Sequence, residues 1–186
     1  QPGYAELDAQ VAGHLAAGAP WLQLKRAALP APAEATRVAA DVETLCRELD
    51  CAQAPQLAAH LGVDLALFAA MALRVEPSAG WPLLRQAAIL APRSPPVLNN
   101  LAVAELDQGH PDQALRLATR ALEVQPDYAR AHRTAARALL RLGRDDDAVA
   151  EARRYLAESR DAGPWLASLA REASPATAGR LQSLAH

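Results

Sequence analysis

Four arginines, Arg130, Arg133, Arg137 and Arg141, recur at steps of three, four and four residues. On a helix turning about 100° per residue they fall within about 80° of one another and make one basic stripe. A guanidinium meets a carboxylate with two parallel hydrogen bonds, so such a row is suited to holding carboxylates. The plainer reading is a solvated face neutralised by Glu105, Asp107 or Glu123. The spacing alone leaves both open.

Other chemistry-bearing residues are sparser. Cys46 and Cys51 are the two cysteines. Their spacing is too wide for a C-x-x-C redox pair and offers too few ligands for zinc, even with His60 added. If the helix that carries Cys46 ends near Leu49, the two sulfurs come within disulfide reach; otherwise they are two buried apolar thiols. Asp145, Asp146 and Asp147 lack the alternating ligands and the glycine of a calcium loop, and read as acidic residues of a first helical turn. His14, His60, His110, His132 and His186 are scattered, with His110 placed as a helix cap before Pro111. There is no G-x-S-x-G turn, Gly-rich phosphate loop or H-E-x-x-H. The sequence therefore predicts no enzyme, no metal and no cofactor.

These residues must be carried by helices. The chain has 186 residues, with 51% hydrophobic and 22% charged side chains and a net charge of −2. Its apolar residues are mainly Ala and Leu, which favour helix, while strand-favouring residues are few. The near-zero charge supplies no field toward nucleic acid. No run of 18 or more uncharged apolar residues occurs, so no membrane-spanning helix is expected. The missing initiator Met and the even cysteine count point to an exported, periplasmic bacterial protein, with a cytoplasmic one as the alternative.

Pro and Gly cut the chain into about eleven helix-length pieces. They cover 4–17, 21–29 and 33–49, with a Pro-containing spacer at 29–32. A short helix from Pro55 ends at Gly62, Asp64 caps one reaching Val75, and another covers 81–90. Ser94 and Pro95 open a helix to Gln108, Pro111 one to Val124, Asp127 one ending at Gly143, and Asp145 one to Ser159. Gly163-Pro164 and Ser174-Pro175 mark two more starts. Trp21, Trp81 and Trp165 stand near helix starts, as plugs beneath turns or as binding hot spots.

A 34-residue shift superposes Pro92 on Pro126, Leu106 on Leu140, Gly109 on Gly143, Ala114 on Ala148 and Ala118 on Ala152. Small residues let two helices cross closely, and the glycine closes the first helix of each unit. This period, with Leu98, Leu101, Ala102, Gly109, Ala114, Ala118, Ala121, Leu122 and Pro126, resembles the tetratricopeptide repeat family. The resemblance covers 95–126 and 129–160, with a degenerate unit over 61–92. It implies an all-α fold of antiparallel helix pairs stacked as a right-handed superhelix. The expected division is an N-terminal helical segment over 1–60, repeats over 61–160 and capping helices over 161–186.

The resemblance also implies a protein-binding role. First helices of such repeats line a concave groove, which places Asn99, Asn100, Arg130, Arg133 and Arg137 as peptide-binding residues. Members that clamp a C-terminal carboxylate use an Asn in one unit and basic residues in the next. Asn100 and Arg130 match that pattern, whereas Leu65, Ala69 and Thr134 depart from it. The expected partner is thus an acidic or C-terminal protein segment. The alternatives are a scaffold subunit of an envelope or secretion assembly and a regulatory domain of a larger enzyme.

Overall fold

A computed structural model describes residues 42–48, 50–75, 77–159 and 163–184, with 9 and 40 described singly. Among the described residues there are nine helices and no strand. They are α1 (42–48), α2 (Pro55–Val75), α3 (Pro77–Leu90), α4 (Pro95–Asp107) and α5 (Pro111–Val124). Then follow α6 (Ala129–Arg141), α7 (Asp145–Glu158), α8 (Gly163–Glu172) and α9 (Pro175–Ser183). The described residues are all-helical, built from sequential antiparallel pairs. The helices expected at 4–17 and 21–29, the spacer between 29 and 32, and Trp21 lie outside the described residues.

The repeat period is written into the helix starts. First helices begin at Pro95, Ala129 and Gly163, each 34 residues after the last. Second helices begin at Pro77, Pro111 and Asp145 at the same interval. Thus α8, read from sequence as part of a cap, starts in register with the repeats, and α9 follows early at Pro175. The α6 start differs slightly from expectation: Tyr128, not Asp127, occupies its N-cap position.

The chain divides into two compact units, Gln1–Asn100 and Leu101–His186. In the first, α2 corrects the sequence reading. Its 21 residues run unbroken from Pro55 to Val75, through Gly62. Gly62 does not end a helix because its missing side chain is used for packing. A Cβ there would stand 2.6 Å from the Ala91 Cβ and 3.0 Å from the Ala87 carbonyl oxygen. Asp64 does not cap either; it is buried mid-helix, its Oδ2 lying 3.4 Å from His60 Nε2 one turn earlier. Gly80 gives α3 the same closeness to Leu73 of α2. The third helix starts at Pro77, four residues before the expected Trp81, and accommodates Pro82 in its first turns. Over Pro55–Leu73, α2 is long and apolar enough to cross a membrane, with mean hydropathy 1.6, but 61% of it is buried within the protein. Its apolar length is that of a core helix.

In the second unit, Ala102 and Leu106 of α4 pack with Ala114 and Ala118 of α5 and Ala135 and Ala138 of α6. Further on, Ala136, Val149 and Ala152 pack with Leu166, Leu169, Ala170 and Leu181 of the last two helices. Trp165 joins that cluster and meets Tyr155 edge-on, with ring centroids 4.5 Å apart. This is the packing role rather than the binding one. Trp81 carries the Arg85 guanidinium 5.7 Å from its ring centre.

The acidic start of α7 fastens the terminal hairpin. Asp145 Oδ2 accepts hydrogen bonds from Ser174 Oγ at 3.0 Å and Thr177 Oγ1 at 2.5 Å. Ser174 also caps α9, accepting from the Thr177 amide. Asp146 pairs with Arg180 at 2.7 Å, and Asp147 with Arg144 at 2.7 Å. The Thr177 hydroxyl, followed by that of Ser174, holds the Asp145 carboxyl below its ordinary value of 3.8.

Two outcomes follow from this packing. Gly→Ala in a helix normally gains roughly 0.5–1 kcal/mol. Gly179→Ala, with open space around its Cβ, should show that gain in urea unfolding, whereas Gly62→Ala should unfold more easily than the parent. The lowered Asp145 carboxyl contributes stability that is present above its ordinary value and lost as pH falls through its folded value. Protection of the Thr177 and Leu181 amides, relative to their intrinsic exchange rates, should fall in acid, and Asp145→Asn should show the weaker protection at neutral pH already. Acid-insensitive protection there would contradict the assignment.

Candidate functional site

The helix that carries the arginine stripe is sharply two-faced. Ala131, His132, Thr134, Ala135, Ala136, Ala138 and Leu139 of α6 are buried. Arg130, Arg133 and Arg141 lie exposed on the other side, and Arg137 is half-buried. The four do not behave alike. Arg141 Nη1 donates to the Leu106 carbonyl oxygen in the last turn of α4, where the helix dipole favours a cation. Arg137 Nη2 stands 3.3 Å from Glu172 Oε1 on α8. One arginine therefore reaches back a repeat and the next reaches forward a repeat. Arg130 bonds the Tyr128 side chain; burial pushes that phenol up, while Arg130 opposes the shift.

The sequence-predicted asparagines sit on α4. Asn99 is buried, and Asn100 Nδ2 donates to the Ala66 carbonyl oxygen of α2 at 3.2 Å, 34 residues away. Thr134 is also buried, its hydroxyl donating to the Arg130 carbonyl oxygen at 3.0 Å. Of the five predicted site residues, Arg130 and Arg133 are exposed, Arg137 and Asn100 are partly buried in packing roles, and Asn99 is enclosed. His110 holds the N-cap position of α5 without a side-chain cap bond; its Nδ1 instead lies 2.9 Å from Glu105 Oε2.

Sequence reasoning missed a second feature. A cleft of about 610 Å³ runs beside α5, α6 and α7, lined by Leu115, Thr119, Leu122, Leu139 and Ala157 with Glu151 and Arg154. Buried His132 anchors its floor. His132 Nδ1 lies 2.6 Å from Glu151 Oε2 and Nε2 lies 2.8 Å from the Pro126 carbonyl oxygen. Arg154 pairs with the other oxygen of Glu151. The group ties the entry turn of α6 to the middle of α7. No spacing rule announces it, because His132 and Glu151 are 19 residues apart.

Among the described residues, no group of three or more His, Cys, Asp or Glu could hold a metal ion. A family model of the tetratricopeptide repeat matches residues 99–164. A search of curated proteins gives no sequence match. The fold is similar to that in the crystal structure of MamA protein, at 15% identity and a TM-score of 0.54. That match covers 82% of this chain and 87% of the other. No catalytic domain is identified.

His132→Ala should cost about 1–3 kcal/mol in urea unfolding, since it removes the ring that stands between the Pro126 carbonyl and Glu151. Arg133→Ala, on the exposed face, should stay within about 0.5 kcal/mol of the parent. Equal effects of the two would show that the His132 group does not tie α6 to α7.

Proposed function

We propose that this tetratricopeptide repeat protein, whose family match spans residues 99–164, holds an acidic or C-terminal segment of a partner protein on the arginine face of α6. Such repeats imply protein–protein interaction in general. The observation that carries the finer reading is the exposure of Arg130 and Arg133 on a helix whose other face is buried. Arg137 and Arg141 are fastened to neighbouring repeats by Glu172 and the Leu106 carbonyl. They brace the helix that presents the other two, so the ligand-facing pair is Arg130 and Arg133, with Arg137 at its edge.

Guanidinium forks suit paired carboxylate oxygens better than single acceptors, so a segment with Asp or Glu side chains, or a free C-terminus, fits this face. Exposed pairs contribute about 0.2–1 kcal/mol each and are screened by salt. The expected affinity is modest and falls as ionic strength rises. Asn99 and Asn100 drop out of the binding set in this reading, because one is enclosed and the other bonds Ala66. The cleft beside α5 and α7 supports a second reading, in which the second helices seat a partner and the protein serves as a scaffold.

Fluorescence anisotropy with a labelled acidic hexapeptide bearing a free carboxylate separates these readings. Arg130→Glu with Arg133→Glu should weaken binding roughly 2- to 30-fold, from two pairs at the magnitude above, with the helical circular dichroism unchanged. An amidated or basic peptide should bind less well to the parent. Unchanged affinity in the double variant, with loss in Thr119→Asp, would transfer the partner to the second-helix cleft.

A further inference from the structure

We propose that the Cys46–Cys51 disulfide is a redox-controlled lock on the C-terminal end of α1. The case rests on comparing three helix ends. In each, an amide bonds back to the carbonyl oxygen five residues earlier: Cys51 to Cys46, His110 to Glu105 and Arg144 to Leu139, all at 2.9 Å. This is the closure in which the residue before the donor takes the left-handed conformation. Those residues are Asp50 at φ 48°, Gly109 at φ 82° and Gly143 at φ 71°.

Glycine takes that conformation without steric cost, whereas a residue with a Cβ does not. The α1 turn therefore has the least favourable backbone of the three, and it carries the one covalent clamp. The clamp sits where the geometry invites one. The first and last residues of this closure face each other and usually share a side-chain contact. At the end of α4 that contact is the Glu105–His110 pair at 2.9 Å. At the end of α1 it is the disulfide, with the two Cα atoms 5.0 Å apart.

The lock has something to hold. In α1, Val42 and Leu45 lie in the core at 1% and 2% exposure. Cys51 and Ala52 also form one wall of an apolar cleft of about 560 Å³, whose other walls include Pro55, Ala58, Ile89 and Leu90. Ile89 stands 78% exposed at its rim. Both cysteines are half-buried, so a small dithiol reaches them.

The chemistry is thiol–disulfide exchange with a dithiol reductant. One reductant thiolate attacks a cysteine sulfur, forming a mixed disulfide and expelling the other cysteine as thiolate. The second reductant thiol then displaces the first cysteine. Two electrons pass to the protein, which gains two thiols, and the dithiol becomes a disulfide. With the clamp gone, Asp50 leaves the left-handed conformation, the cap hydrogen bonds open, and the cleft loses a wall.

Hydrogen exchange on the full chain, before and after dithiothreitol, tests this. Amides of Cys51, Gln53 and Ala54 and those of α1 should exchange roughly tenfold faster after reduction, as a left-handed residue with a Cβ reverts. The turns at Gly109 and Gly143 should not change. Cys46→Ser with Cys51→Ser should match the reduced protein without reductant. Adding Asp50→Gly to the reduced protein should restore protection at Cys51, which a general loss of stability would not. Equal exchange in both redox states, or an equal rise at all three turns, would overturn the proposal. Should the double serine variant fail to fold, the comparison on the parent chain decides.

Discussion

The distance between helices in this protein is set by side chains that are missing. Gly62 and Gly80 let α2 and α3 meet at contacts a single Cβ would violate. Ala102, Ala114, Ala118, Ala135 and Ala138 play the same part where α4, α5 and α6 meet. Close-packed interiors do not absorb extra atoms cheaply. Small residues at these positions let helices approach closely enough for side chains to bond from one repeat to the next.

Those inter-repeat bonds share one spacing. Asn100 to Ala66 and Arg180 to Asp146 each span 34 residues, and Arg141 to Leu106 spans 35. A polar side chain near the same height on consecutive repeats meets the neighbouring helix's carbonyl or carboxylate. The arginine stripe is therefore a mixture. Its C-terminal members are consumed in fastening α6 to α4 and α8, and its N-terminal members stay exposed. The helix that presents this face is held on both sides.

Turn chemistry shows how residue type and context divide the labour. Gly109 and Gly143 were readable as helix ends because their conformation demands glycine and each is followed by a new helix start. Gly62 looks the same in sequence and does the opposite, since only the neighbouring Ala91 reveals why it lacks a side chain. Asp50 fills a glycine role with no glycine, and the disulfide across it compensates for that choice. Asp64 has the type of a cap but is buried beside His60 in the middle of α2.

The sequence by itself determined the helix starts at Pro95, Pro111, Asp145, Gly163 and Pro175 and the 34-residue period, because period and composition are local properties. It also determined that Arg130, Arg133, Arg137 and Arg141 share a helix face, since that follows from helical geometry alone. Only the tertiary structure decided which of the four are occupied, because Glu172 and the Leu106 carbonyl are brought in from other repeats. The same holds for the His132–Glu151 tie and for the uses of Asp145 and Asp146 at the start of α7. Each depends on partners 19 to 35 residues away, and a pattern read along one chain does not say which side chains will face each other once the helices pack.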